Sequence, residues 1–153
     1  MSYTNADGLL ILTNGEAGTP AENGRTAVAA KKNLIVDIDL TKGGQSWRSG
    51  VDAFIPAGSY ITSASLVVKT AAAGGTSVNF GLVKADGTAI DADGIDATIA
   101  VADLAANKAV ACDGALVGGT ATVGTANAYV SWDYDTAAFT AGAAKLVIEY
   151  IEV

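Results

Sequence analysis

The chain has no histidine among its 153 residues. Histidine is the commonest general base and a usual zinc ligand, so its absence excludes Ser-His-Asp and Cys-His catalytic arrangements. The motifs that hold nucleotide phosphates are missing too, since there is neither a glycine-rich loop ending in GKS or GKT nor a GxGxxG. We therefore expect no catalytic residue, no bound cofactor and no enzyme activity.

Cysteine is nearly absent as well, because Cys112 is the only one in the sequence. One cysteine cannot form an intramolecular disulfide, which excludes a small secreted domain held together by disulfides. We expect Cys112 to be a small buried side chain, since free cysteine is among the most buried residue types. The opening MSYTNADGLLILTNG has no basic region, and its apolar run LLIL is too short for a signal peptide or a membrane span. These features predict a protein made in a cytoplasm.

Basic residues are scarce relative to acidic ones. Nine Lys and Arg residues stand against sixteen Asp and Glu residues, and the formal net charge is −7. A surface that binds DNA or RNA needs clustered positive charge, and anionic membranes repel an acidic protein. We therefore expect neither nucleic acid nor a membrane as a partner.

Small apolar residues and glycine dominate what is present. Eighteen glycines against two prolines indicate many tight turns rather than proline-rich linkers. In NLIVDIDLTK, the apolar residues Val36, Ile38 and Leu40 alternate with Asp37 and Asp39, which is typical of a half-buried antiparallel strand. The same alternation predicts strands in YITSASLVVKTA, SVNFGLVK, NAYVSWDY and AKLVIEYIEV, and shorter strands in LLILT (9–13) and VDAFI (51–55).

Asn-Gly, Asp-Gly and Gly-Gly pairs separate these strands, which is typical of antiparallel all-β folds. The pattern predicts an antiparallel two-sheet sandwich or a barrel with at most one short helix. A short helix or helical turn is expected in IDATIAVADLAA (95–106), which is rich in alanine and has Asp96 as a candidate N-cap. We assign the sandwich to residues 33–153, and an N-terminal strand with an extended arm or loop, expected to form contacts, to residues 1–32.

The stretch DGTAIDADGID (86–96) resembles a calcium loop. Alignment with an EF-hand puts Asp91 and Asp93 at ligand positions, but it puts alanines at the first and last ligand positions. Turn formation by the Asp-Gly pairs is the favoured interpretation. A weak calcium site built from Asp91, Asp93 and Asp96 is the alternative.

Two further functions stay open at this point. Carboxylates such as Asp37, Asp39 and Glu149 suit an acid hydrolase, although on half-buried strands they are usually the solvent-facing side. A platform of aromatic side chains suits a carbohydrate-binding or receptor-binding module of a phage tail fibre or surface adhesin, with Trp47 and the loop 113–126 as its face. Such aromatic residues more often fill a core or an interface; here they are Trp47, Trp132, Tyr129 and Tyr134.

A resemblance to a known family adds to this interpretation. The order FIPAGSYITSASLVVKTA, FGLVKADGTAIDADGID, ACDGALVG and FTAGAAKLVIEYIEV resembles small head-decoration, or cement, proteins of tailed double-stranded-DNA bacteriophages. The likeness covers residues 51–153 and, more loosely, YTNADGLLILTNG. It implies a jelly-roll-like sandwich that forms a homotrimer and binds the major capsid protein on the outer surface of the virion. It implies no catalytic or cofactor residue.

The alternating strands also leave apolar residues on their outer faces. If the family resemblance holds, these side chains are expected to be buried against sister subunits or the capsid. They are Ile35, Val67, Val147, Ile151 and Val153.

Overall fold

The computed structural model describes residues 2–4, 10–12, 26–27, 30–42 and 48–153. The chain divides into two compact units, Met1–Lys32 and Asn33–Val153. In the first unit, strands β1 (Ser2–Thr4), β2 (Leu10–Leu12) and β3 (Thr26–Ala27) form an antiparallel sheet. Strand β2 confirms the prediction at LLILT. Strand β3 lies in the part of residues 1–32 that was expected to be an extended arm or loop, and its two residues pair with β2.

The rest of the described chain folds into two four-stranded antiparallel sheets. Sheet A has the strand order β4-β11-β6-β9, and sheet B has the order β5-β10-β7-β8. The fold is therefore all-β, as predicted. The strands are β4 (Lys31–Asp39), β5 (Phe54–Ile55), β6 (Tyr60–Ala73), β7 (Ser77–Val83), β8 (Ala89–Ala100), β9 (Ala109–Ala111), β10 (Ala128–Tyr134) and β11 (Ala141–Ile151).

The strand pairs are nested along the chain. β7 pairs with β8, β6 with β9, β5 with β10 and β4 with β11, so the chain runs as one long hairpin whose successive pairs alternate between the two sheets. A hairpin rolled up in this way is the eight-stranded jelly roll. Its tip is a tight turn in which Gly87 has a φ of +85° and the Asp86 carboxylate accepts a hydrogen bond from the Thr88 N–H at 2.9 Å. This turn confirms the predicted role of the first Asp-Gly pair.

The core consists of the inward side of each strand. Val36, Ile38 and Leu40 are buried, whereas Asp37 and Asp39 between them are exposed, as the alternation predicts. One face of each of the other long strands is buried as well. They include Ala64, Leu66 and Val68 of β6, Val78, Phe80 and Leu82 of β7, Ala128, Val130 and Trp132 of β10, and Leu146, Ile148 and Tyr150 of β11.

The short helix or helical turn expected within 95–106 is a single 3₁₀ turn, and the first half of that stretch is a strand instead. Strand β8 continues to Ala100, and only Val101–Asp103 forms a short 3₁₀ helix, whose N-cap Ala100 makes no side-chain capping bond. Asp96 is therefore not an N-cap but a buried strand residue opposite Phe80. The reason is tertiary: Ile95 and Ile99 are buried in the core, and the pairing with β7 outweighs the helix propensity of the alanines.

Strand β8 reaches its length through bulges. Between the pairs Phe80↔Asp96 and Leu82↔Asp91, two steps along β7 correspond to five along β8. The extra residues bulge out of the ladder, which bends an edge strand and protects it from further pairing. The second Asp-Gly pair, Asp93-Gly94, lies in this bulge rather than in a turn, which corrects the expectation for that pair.

The strand predicted at VDAFI is shorter than expected. Only Phe54 and Ile55 form β5. Val51 and Asp52 lie in a turn that is closed by the N–H of Ala53, which donates to the carbonyl of Gly50 at 2.9 Å. No helix in the described parts of the chain is long and apolar enough to cross a membrane.

The alternation in β6 yields a direct test of the core. Leu66→Ala should lower the free energy of unfolding by about 2–5 kcal/mol, because Leu66 is fully buried and its loss leaves a cavity. Val67→Ala, on the outward face next to it, should change that free energy by about 0.5 kcal/mol or less. Urea denaturation of both variants measures the difference. Equal losses would contradict the assignment of the two faces.

Candidate functional site

The outer face of sheet A, which points away from the core, carries exposed apolar side chains. Ile35 on β4 is 57% exposed and Val67 on β6 is 44% exposed. Both residues were predicted to face outward. Because apolar side chains on a half-buried sheet normally point inward, their exposure on one face marks a candidate contact surface.

The strand register shows which outward residues are neighbours. Lys145 on β11 pairs with Val67, which pairs with Ala109 on β9. Two residues further along each strand, Val147 pairs with Ser65, which pairs with Ala111. The outer face of sheet A therefore has two adjacent rows of side chains that run across β11, β6 and β9.

The position of β4 completes these rows. The N–H of Leu40 donates to the carbonyl of Gly142 at 3.0 Å, and the Asp37 carboxylate contacts the Lys145 ammonium at 2.8 Å. Both contacts fit one register, which places Ile35 beside Val147. We define the outer patch as Ile35, Val67, Ala109, Ala111 and Val147, five apolar residues that are contiguous across all four strands of sheet A. Ala109 and Ala111 were missed at the sequence level because β9 has only three residues.

The other two apolar residues predicted to face outward lie at the end of the chain. Ile151, the last residue of β11, is half-buried, whereas Val153 beyond the strand is 91% exposed. Val51 is also exposed, although sequence reasoning placed it in a strand. None of these three belongs to the outer patch.

The carboxylates considered for hydrolysis lie on this same outer face. Asp37 pairs with Lys145, and Asp39 accepts hydrogen bonds from the N–H of Thr41 at 3.0 Å and from its hydroxyl at 2.6 Å. The hydroxyl of Thr62 donates to the Glu149 carboxylate at 2.6 Å. These groups therefore occupy the solvent-facing positions expected for polar residues on half-buried strands.

The aspartates considered for calcium fall into two places. Asp91 and Asp93 are neighbours in the bulge of β8, where the N–H of Asp93 approaches the Asp91 carboxylate at 3.4 Å. Burial, and next the side chain of Asp93, raise the pKa of Asp91. Asp96 instead lies beside Cys112 and Asp113. Among the described residues no cluster of three or more acidic or cysteine side chains is arranged to hold a metal ion. Calcium binding by these three aspartates was the alternative interpretation and stays untested.

Two glycines explain how the bulge of β8 packs. A Cβ on Gly94 would lie 2.7 Å from the Leu116 side chain, and one on Gly114 would lie 2.5 Å from the Gly94 backbone. The two segments are joined by the N–H of Leu116, which donates to the Gly94 carbonyl at 2.9 Å. The second Asp-Gly pair therefore serves close backbone packing, for which glycine is required.

Cys112 is buried next to Asp96, as predicted for an inert thiol. Burial, and next the negative charge of Asp96, raise the pKa of Cys112 to about 12. Burial, and next the charge of Asp113, raise the pKa of Asp96. Because the thiolate is the reactive form, Cys112 is unreactive near neutral pH.

The aromatic platform considered for sugar binding does not form from Trp132 and Tyr129. Trp132 is only 2% exposed, and Tyr129 is buried beneath the Arg48 guanidinium, whose carbon lies 4.9 Å from the ring centre. Tyr134 is half-buried, and Trp47 lies outside the described residues. The physical reason is that Trp132 lies on the inward face of β10, a central strand of sheet B, and fills the core. Tyr129 lies on the opposite face of β10, where Arg48 and Phe54 cover it.

The loop 113–126 is tied to β6 and the turn before it. The N–H of Gly118 donates to the Ile61 carbonyl at 2.9 Å, and the N–H of Val123 donates to the Ser59 carbonyl at the same distance. The hydroxyl of Tyr60 donates to the Gly119 carbonyl at 3.1 Å. Leu116 and Val123 are buried. The loop therefore packs against the sandwich, and it presents no aromatic side chain.

Comparison with known proteins identifies structures of the same fold. No protein-family model matches the chain, and no curated protein matches it in sequence. A chain in the Cyanophage Pam1 capsid asymmetric unit superposes with a TM-score of 0.52 at 15% identity, over 92% of this chain and 98% of that chain. A chain in the capsid of Ralstonia phage GP4 superposes with a TM-score of 0.53 at 13% identity, over 80% and 83%. The chain therefore shares its fold with chains found in two phage capsid structures.

The buried Asp96 predicts a pH dependence. A raised carboxyl pKa means that the folded protein binds this proton more tightly than the unfolded chain, so ionisation of Asp96 costs stability as the pH rises. Asp96→Asn removes this cost. The variant should therefore gain thermal stability relative to the natural protein as the pH rises from about 3 to 7. Asp52→Asn, in an exposed turn, controls for the lost charge. If the difference in thermal stability between Asp96→Asn and the natural protein stays constant across this pH range, the raised pKa of Asp96 is refuted.

Proposed function

We propose that this chain is a structural virion protein that decorates the capsid of a tailed phage from the outside, as a cement protein does. The observation that carries the proposal is the fold that this chain shares with chains in two phage capsid structures. In each comparison the shared fold covers most of this chain and most of the other chain. The resemblance of residues 51–153 to head-decoration proteins supports the same role independently. We infer that it acts without catalysis.

The outer patch supplies a physical mechanism for such a role. Binding of this patch to the major capsid protein would remove apolar surface from water, which contributes about 25 cal/mol per Å². Shell symmetry offers many equivalent sites, so a modest affinity at each contact is sufficient. The net charge of −7 suits a protein on the outside of the shell, which needs no contact with the packaged DNA.

We assign the N-terminal arm, residues 1–32, to the contact region, and we propose that three copies associate into a homotrimer. The arm forms a compact unit of its own, and the sandwich forms another. A carbohydrate-binding role has less support, because Trp132 is in the core and Arg48 covers Tyr129. The loop 113–126 also presents no aromatic side chain.

Capsid binding is the direct test. Purified full-length protein is mixed with phage capsid shells that lack it, and the bound fraction is measured by cosedimentation. Val67→Asp should weaken binding at least about tenfold, because a charge would have to be buried with the outer patch. Ala85→Asp, in the turn between β7 and β8, introduces the same charge at an exposed position away from the patch and should bind normally.

The same assay tests the arm. A chain without residues 1–30 keeps all of β4, so it should retain the β-rich circular dichroism spectrum and lose capsid binding. Normal binding by the shortened chain would refute the role of the arm. Normal binding by Val67→Asp would refute the role of the outer patch. If the full-length protein does not bind capsids, the proposed function itself is wrong.

The trimer has a separate test. Size-exclusion chromatography with light scattering should give three times the 15.2 kDa mass of the chain. A mass of one chain at all concentrations would contradict the homotrimer.

A further inference from the structure

Strand β4 is an edge strand of sheet A. Among the described strands it neighbours β11 on one side only. With nine residues it is much longer than β9, the three-residue strand at the opposite edge. A long edge strand has a row of backbone N–H and C=O groups outside its own sheet, and such a row is a template for pairing with another strand.

The register shows which residues of β4 direct their backbone toward this edge. Leu40 bonds to Gly142 of β11, and in an antiparallel ladder the backbone groups of successive residues point to alternate sides. The even-numbered residues of β4 therefore face β11. The odd-numbered residues direct their N–H and C=O groups toward the edge that no described strand occupies, and their side chains lie on the outer face. They are Asn33, Ile35, Asp37 and Asp39.

The sequence of β4 is complementary to itself when read antiparallel. In KKNLIVDID the lysines lie at the start and the aspartates at the end. If two copies of β4 run antiparallel around Ile35, Ile35 meets Ile35, Asn33 meets Asp37 and Lys31 meets Asp39. Opposite charges and apolar pairs placed directly across strands are stabilising, whereas like charges are destabilising. A parallel arrangement in register would place lysine against lysine and aspartate against aspartate.

We propose that β4 pairs antiparallel with β4 of a second copy of this chain, around a twofold axis at Ile35. The two A sheets then form one continuous eight-stranded sheet. The outer patches of the two copies also join across the axis, because Ile35 belongs to both the edge and the patch. If the proposed homotrimer also forms, this contact joins one trimer to another, so we expect the mass of three chains at low protein concentration and larger masses at high concentration. The edge contact does not depend on the proposed function, since it concerns the protein alone in solution.

The ion pairs that Asp37 and Asp39 make do not oppose this contact. Asp37 and Lys145 are both exposed, and so are Asp39 and Lys42, which lie 3.7 Å apart. Exposed ion pairs contribute little and rearrange readily. An edge contact of nine residues is small compared with stable interfaces, which bury about 1,200–2,000 Å². We therefore expect a weak, salt-sensitive association that grows with protein concentration.

Disulfide trapping tests the axis. Ile35→Cys places two thiols directly across the strand pair, where the Cα atoms are about 5.5 Å apart and within disulfide reach. The variant should form a covalent two-chain product under mild oxidation, seen on a non-reducing gel. Val67→Cys is the matched control, because the two positions 67 would be separated by five strand spacings, about 24 Å. Cys112 is buried and unreactive, so it does not interfere. No product from Ile35→Cys, or equal product from both variants, would overturn the proposal.

A charge series at Asn33 tests the register. Asn33 is exposed and would lie opposite Asp37 of the second copy. The twofold axis makes this pair occur twice in the contact. Asn33→Lys should strengthen association by about tenfold or less, and Asn33→Asp should weaken it, with both effects reduced at high salt. Sedimentation analysis over a range of protein concentrations measures this. Thr125→Lys and Thr125→Asp, in an exposed loop, control for net charge. The same response at both positions would show a general charge effect and overturn the edge pairing.

Discussion

The burial of two four-stranded sheets against each other is the constraint on which the sandwich depends. Each long strand has one apolar side, and only a second sheet can cover it. The nested strand pairing satisfies this requirement, because successive pairs along the chain lie in opposite sheets. The pairs are β4 with β11, β5 with β10, β6 with β9 and β7 with β8. Leu66, Phe80, Leu146 and Ile148, contributed by both sheets, are fully buried as a result.

The same constraint makes the outer face of sheet A informative. Residues there are not needed for the core, so apolar side chains such as Ile35 and Val67 have no structural role in the isolated sandwich. Their grouping with Val147, Ala109 and Ala111 across four strands provides a surface for a partner. Chains of this fold occur in two phage capsid structures, and the virion role proposed above would give the patch a partner.

The outward residues of the candidate surface could be predicted only one strand at a time. Period-2 alternation identified Ile35, Val67 and Val147 as outward, but their proximity follows from the register, which depends on partners far away in the chain. Ala109 and Ala111 carried no signal, because a three-residue strand has no measurable period. The Asp-rich stretch was interpreted from local turn chemistry. That interpretation is right at Asp86-Gly87 and wrong at Asp93-Gly94, where packing of Gly94 against Gly114 decides the conformation.

The sequence by itself determined the strand class, the inward face of β4, β6 and β11, and the tight turn at Gly87, because each depends on residues within one strand or turn. Tertiary structure alone decided the strand order, the bulges of β8, the strand conformation of residues 95–100 and the burial of Asp96 beside Cys112. These features depend on contacts between residues distant in sequence, whose pairing no local pattern specifies. Helix propensity at the alanines of 97–106 is worth less than the core burial of Ile95 and Ile99, so the fold overrides it.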